Sequence, residues 1–357
     1  MGPPAQRHRR HCLRTPRDRC DRRRTGSVLT SPPRRARLFP TLGRSKGTMM
    51  SDHEDVGIGS FACAFGDVEC EPEKIPDFGA LWETVSFGTD FREMGCTTYR
   101  KMSGPVEDYV VDAVRRTLRD AGVAAADIDH LVFATSDPTL ALLPSDFAGR
   151  VLLALGMDDC VPHVMSYQRC CSSLTALRHG QRLLADPEAT HVVVVAVDFM
   201  PHDRDRVLPY AIFGDAAASC LLARRPGLVR LVSSGIKIDP EGLRGRDTFV
   251  SRQDVAERTL SAVLRAGGRQ QAKISKVFAA NLHKPLTLFN ATSVGLRPDT
   301  LHFADTLAAY GHCGNADWMI NLADYHERFG IQPGQTYMAQ SLAPGFYACG
   351  LLEGSAQ

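Results

Sequence analysis

Two adjacent cysteines, Cys170 and Cys171, open the segment CCSSLTALRHGQRLLA (Cys170–Ala185), which reads as a helix. A thiol at a helix N-terminus faces unpaired N–H groups and the positive end of the macrodipole, and both favour the thiolate. A thiolate can attack an acyl thioester and hold the acyl group, splitting one transfer into two easier steps. Burial as a small hydrophobe is the ordinary fate of a cysteine, so position alone does not assign the role. His312 opens a second predicted helix, HCGNADWMINLADYHER (His312–Arg328). Asp317, five residues on, would orient an imidazole as a carboxylate does in other nucleophilic sites. The Cys and His residues lack zinc-type spacing, and no GxGxxG or P-loop stands in a strand–helix setting. No bound cofactor is expected.

The elements that must hold these residues form an internal repeat. PVEDYVVDAVRRTLRD (Pro105–Asp120) has apolar residues at helical spacing and leads through AGV to the strand-like IDHLVFAT (Ile128–Thr135). DVAERTLSAVLR (Asp254–Arg265) leads through AGG to ISKVFAAN (Ile274–Asn281) in the same layout. The Cys170 helix precedes the strand run HVVVVAVD (His191–Asp198), and the His312 helix precedes TYMAQSLA (Thr336–Ala343). A single repeat of this size is a duplicated domain rather than a solenoid. It makes His312 the mate of Cys170, so both helix starts are expected to face one cavity. Strand runs alternating with helices argue for parallel sheets covered by helices, an α/β fold. The continuous apolar run His191–Ala196 suits a strand buried on both faces.

The chain has 357 residues, 44% of them hydrophobic, enough for one large core or two medium ones. No apolar run approaches the roughly 20 residues that span a bilayer, so no membrane association is expected. The first 50 residues carry fourteen Lys and Arg against two Asp, with no hydrophobic period. Such a segment cannot offset the entropy of folding by burial, and 1–50 is read as a disordered basic extension, most simply a translated leader ahead of Met49 or Met50. A nucleic-acid role is not expected, because the remaining chain is acidic. Eleven cysteines without a CxxC pair or a preceding secretory signal suggest free thiols in a reducing cytoplasm.

Three segments, in order, resemble the β-ketoacyl-ACP synthase III family of the thiolase superfamily. SYQRCCSSLTAL (Ser166–Leu177) is similar to its active-cysteine helix start. YAIFGDAAASCLLA (Tyr210–Ala223) resembles its Phe-Gly-Asp-Gly-Ala strand entry, and IQPGQTYMAQSLAPGFYACGLLE (Ile331–Glu353) its glycine-rich C-terminal strands. The resemblance covers essentially all of 51–353. It implies a five-layered αβαβα thiolase fold, with one half over 51–225 and the other over 226–357, and a homodimer. It places the nucleophile at Cys170 rather than Cys171. It also implies that Gly345 supplies a backbone N–H to an oxyanion hole, while Gly214 and Asp215 serve structure.

Two departures from the family pattern bear on the chemistry. The family's His at the end of the strand matching Ile274–Ala280 is displaced in FAANLHKPL, leaving Asn281 and His283 as candidates. The family's Asn stands where this chain has His312. Decarboxylative condensation needs His and Asn donors around a thioester carbonyl to stabilise the enolate. The leading expectation is therefore an acyl thioester on Cys170, condensed with a malonyl-type thioester by an exchanged Asn281–His312 pair. An alternative is acyl transfer to an alcohol or amine of a secondary metabolite, with His312 as general base. A catalytically silent partner subunit of the same fold is a third reading. The family's arginine-containing coenzyme A clamp is not recognisable around Trp82, which favours an acyl carrier protein over acyl-CoA as donor. Arg115, Arg116 and Arg119, or Arg265, Arg269 and Lys273, would form the basic patch such a carrier needs.

Overall fold

The computed structural model describes residues 56–86, 88–142 and 145–356; the basic segment 1–50 lies outside them. The ten-stranded sheet takes five strands from the first half: β1 (Gly57–Phe65), β2 (His130–Ala134), β3 (Val161–Met165), β4 (His191–Asp198) and β5 (Ala216–Ala223). Five follow in the second: β6 (Val229–Ile238), β7 (Ile274–Phe278), β8 (Leu301–His302), β9 (Thr336–Ala343) and β10 (Phe346–Gly354). Their order is β8-β7-β9-β10-β6-β1-β5-β4-β2-β3, so each strand of one half has a counterpart at the mirror position of the other. Within the large sheet, the described residues of the two halves pair at Gly57 with Arg230 and Ile58 with Val229.

Helices fill three layers around these two groups of strands. Helix α1 (Val106–Ala121) covers β1 and β5 from outside, with α2 (Phe147–Leu155) beside it. Its Val110, Ala113, Val114, Thr117 and Leu118 recur at helical spacing and are buried. Helix α3 (Ser172–Leu183) touches β2 and β4 on one side and β6 and β10 on the other. Helix α4 (Phe249–Ala266) covers β6 and β10 from outside, and α5 (Lys284–Ser293) follows β7. Helix α6 (Asp317–Phe329) lies between β1 and β5 of one group and β7 and β9 of the other. The result is the αβαβα layering of the thiolase fold. Val192–Val197 of β4 is wholly buried, as a strand covered on both faces requires.

The sheets are not parallel throughout, which corrects the expectation drawn from alternation alone. Only β2 with β3 and β4, and β7 with β8 and β9, run parallel. The remaining pairs are antiparallel, and at β9–β10 the reason is local. Ala343 pairs with Phe346 across a Pro344-Gly345 turn, and a two-residue hairpin allows no other direction. Gly345 there has φ +77°, and a Cβ would come 2.6 Å from Leu243 N.

Candidate active site

The α3 segment does not begin at Cys170 as its pattern suggests. Arg169–Cys171 form a single 3₁₀ turn, and the α-helix starts at Ser172. Two non-glycine residues with positive φ, Tyr167 (64°) and Arg169 (52°), bend the chain into that turn. Such backbone persists where surrounding contacts over-determine it, as at functional sites. Cys170 is buried, and its carbonyl accepts a 2.6 Å hydrogen bond from Ser341 Oγ of β9. Its sulfur lies 3.4 Å from His312 Nε2 and 3.5 Å from Ser136 Oγ. Cys171 has no accessible surface, and burial pushes its thiol well above the ordinary range. Of the two adjacent cysteines, Cys170 therefore faces the polar groups and Cys171 packs in the core.

His312 also stands before its helix rather than in it. It forms a β-bridge with Phe213, donating its N–H to Ile212 O at 2.8 Å and accepting from Gly214 N at 2.9 Å. Phe213 meets the imidazole edge-on at 5.1 Å between centroids, and Tyr210 does so at 6.2 Å. A 3₁₀ turn, Gly314–Ala316, intervenes, so Asp317 is the first residue of α6. His312 Nδ1 lies 2.5 Å from Asp317 Oδ2. Asp317 is itself fixed, accepting from Cys313 N and from Asn281 N, both at 2.7 Å. Burial disfavours a charged ring, yet the Asp317 carboxylate and the Cys170 sulfur outweigh it and hold the His312 pKa well above its ordinary value. Sulfur, imidazole and carboxylate thus stand in line, arranged for proton transfer from thiol to base.

The other expected groups lie apart from that line. The Asn281 side chain donates to Gly311 O at 3.2 Å and accepts from Asn321 Nδ2 at 3.0 Å and Thr306 Oγ1 at 3.3 Å. It braces the entry to α6, and only its backbone N–H serves Asp317. His283 is buried beside Trp82, with 5.4 Å between ring centroids, and among the described residues neither ring nitrogen has a close hydrogen-bond partner. Burial pushes its pKa down to about 4, so the ring is neutral near pH 7. The expected exchange of roles between Asn281 and His312 therefore places only His312 against the sulfur. Gly345 lines a cavity with Tyr210, Leu282, Leu342 and Phe346, and its carbonyl accepts from Asp239 N at 2.9 Å. Neither that cavity nor a larger groove of about 870 Å³ along β1 and α6 is lined by Cys170, His312 or Asp317, so size does not mark this site.

Asp215 has the structural role expected of it. Arg206 pairs with both its oxygens at 2.6 and 2.9 Å in full burial, and Met200 N and Met102 N complete the carboxylate. Half of the suggested basic patch is engaged in local ion pairs: Arg116 with Asp112, Arg119 with Asp120, and Arg269 with Glu353. Among the described residues no three His, Cys, Asp or Glu side chains cluster as metal ligands would. Sequence reasoning missed three groups beside the sulfur: Ser136, just past β2; Asp198, at the end of β4; and Asn315, in the turn before α6. The signal available for the first two was their place at the carboxyl ends of parallel strands, where α/β folds build their sites.

No protein-family profile matches the chain. The chain is 24% identical over 319 residues to β-ketoacyl-[acyl-carrier-protein] synthase III of Thiobacillus denitrificans, covering 82% of this chain and 95% of that protein. Among solved structures it superposes on 3-oxoacyl-(acyl carrier protein) synthase III of Xanthomonas oryzae with a TM-score of 0.73 at 18% identity, covering 84% and 99% of the two chains. It matches the acyltransferase ChlB3 with a TM-score of 0.72 at 17% identity, covering 85% and 98%. The chain has the thiolase fold. In sequence and in structure it is similar to β-ketoacyl-ACP synthase III proteins.

Proposed function

We propose that this enzyme takes an acyl group from a thioester onto Cys170 and passes it to a hydroxyl or amine acceptor without decarboxylative condensation. The reading is carried by the line Cys170 Sγ, His312 Nε2, His312 Nδ1, Asp317 Oδ2, with steps of 3.4 and 2.5 Å. His312 takes the Cys170 proton, and the thiolate attacks the donor carbonyl. The tetrahedral adduct expels the donor thiolate, which leaves with the proton from His312. In the second half, His312 takes the acceptor's proton as its oxygen or nitrogen attacks the Cys170 thioester; collapse releases the thiolate. Asp317 holds the ring in one tautomer and offsets its positive charge.

Condensation is the second reading, favoured by the β-ketoacyl synthase activity named for the sequence relative. It needs two donors for a malonyl carbonyl, and the Asn281 amide is occupied by Gly311, Asn321 and Thr306. The donor is an acyl carrier protein or coenzyme A thioester. A cytoplasmic homodimer is the expected setting. The edge strand β3, with Val161 and Val164 exposed and no strand on its outer side, supports the dimer.

Intact-protein mass spectrometry after mixing with acyl-CoA and acyl-carrier thioesters tests the scheme. An acyl adduct on wild type, absent in Cys170→Ala, is expected. Discharge by alcohols or amines, with no need for malonyl thioester, supports transfer. Discharge by malonyl thioester alone would replace it with condensation, and no adduct from any donor would leave the silent-subunit reading.

A further inference from the structure

The sulfur of Cys170 has a second polar neighbour besides His312, and that neighbour belongs to a network the acyl-transfer scheme does not use. Ser136 Oγ is 3.5 Å from Cys170 Sγ, 3.0 Å from Asp198 Oδ2 and 3.1 Å from Asn315 Nδ2. The amide can only donate, so it fills an acceptor position on Oγ. The one hydroxyl proton is left to choose between the Asp198 carboxylate and the sulfur.

Asp198 does not depend on that proton. Its Oδ1 accepts from Ser136 N at 2.7 Å and Thr135 Oγ1 at 3.0 Å. Its Oδ2 accepts from Asn315 N at 2.7 Å and Asn315 Nδ2 at 2.9 Å. At least three donors remain when the hydroxyl turns away, because the two hydrogens of Asn315 Nδ2 are shared among Asp198, Ser136 and Arg169, and both carboxylate oxygens stay bonded. Asn315 also binds Arg169 O at 3.0 Å and accepts from Ser173 N at 2.9 Å, tying the network to both sides of the Cys170 turn.

We propose that the Ser136 hydroxyl is a switching hydrogen-bond donor, bonded to Asp198 while Cys170 is a thiol or acyl thioester and turned to the sulfur when it is a thiolate. Asp198 and Asn315 are positioning residues that hold the hydroxyl within reach of both. The inference rests on Cys170 being the nucleophile of the proposed reaction. It adds a second donor to the thiolate besides His312.

Iodoacetamide alkylation of Cys170, followed by mass spectrometry of its peptide across a pH series, reads the thiolate directly. Ser136→Ala should move the alkylation midpoint upward and slow alkylation near neutral pH about tenfold, while Ser136→Thr retains the wild-type profile. His312, Asp317, Tyr210, Cys171, Asp198 and Arg169 face or flank the sulfur and are the same in all three proteins, so the difference isolates the hydroxyl. Ser136→Gly is the hydroxyl-free substitute if the alanine variant does not fold by circular dichroism. An unshifted midpoint in a folded hydroxyl-free variant would overturn the switch. Acyl adducts on wild type are scored separately. A shifted alkylation profile without any adduct would overturn the acyl-transfer reading while leaving the Ser136 contact standing.

Discussion

Cys170, His312 and Asp317 divide the proposed reaction into attack, proton transfer and charge balance, and each role is testable by one side chain. In Asp317→Asn the imidazole loses its negative partner and its tautomer is no longer fixed. Transfer from the acyl-enzyme should fall about 10²–10⁴-fold, measured by single-turnover discharge. The pH profile should move in a definite direction. Asp317 raises the His312 pKa, so without it the ring gives up its proton at lower pH, and the rising limb of discharge shifts acidward. The raised His312 pKa contributes stability that is complete below about 6.5 and is lost as pH rises through the folded value. His283 has the opposite sign. With a folded pKa of about 4, it binds its proton more weakly when folded, so it costs stability as pH falls from about 6.5 toward 4. His283→Leu should remove about 3 kcal/mol of that acid loss, read as the change in wild-type minus variant stability between pH 7 and 4 in urea melts.

At the scale of elements, the site is made at the ends of strands and in the short turns that precede α3 and α6. The turn before α6 is the most constrained. Gly314 has φ +60°, and a Cβ there would overlap the Asp198 carboxylate. Gly314→Ala must therefore strain the backbone and displace either Asp198 or Asn315. A loss of about 1–3 kcal/mol in chemical denaturation is expected, with slower acylation of Cys170 in the folded fraction. A change within ±0.5 kcal/mol and unchanged acylation would show that the turn adapts. The turn also explains why helical pattern misjudged both starts. HCGN and RCC are compatible with a helix by residue type, but their hydrogen bonds go to Ile212, Gly214, Asp198 and Ser341 on other segments.

Across the whole molecule, the two repeated halves share little strand pairing and instead interlock through the central helices. Trp318 Nε1 of α6 donates to Ser173 Oγ of α3 at 2.8 Å, and Ser173 N donates to Asn315 Oδ1 at 2.9 Å. Trp318→Phe keeps the apolar bulk but removes the donor, leaving a buried hydroxyl with one partner fewer. A loss of about 1–2 kcal/mol is expected. Because the bond joins the halves, unfolding should remain one transition when followed by circular dichroism and by Trp82 fluorescence. Separate transitions would mean that the halves are energetically independent.

The repeat, the buried run of β4 and the helices flanking β2 and β7 were legible in the sequence because apolar spacing is a local property that burial enforces. The family motifs added the layering and the choice of Cys170. Direction within the sheets was not legible, since a strand's composition does not say which way its neighbour runs. The roles of Asn281 and His283 were equally hidden. An amide braces α6, and an imidazole packs beside Trp82, according to partners distant in the chain. His312 and Asp317 were nameable as residue types from spacing. Their alignment on the Cys170 sulfur, and the presence of Ser136, Asp198 and Asn315 around it, came only with tertiary structure, because hydrogen-bond partners are chosen by distance and direction in space.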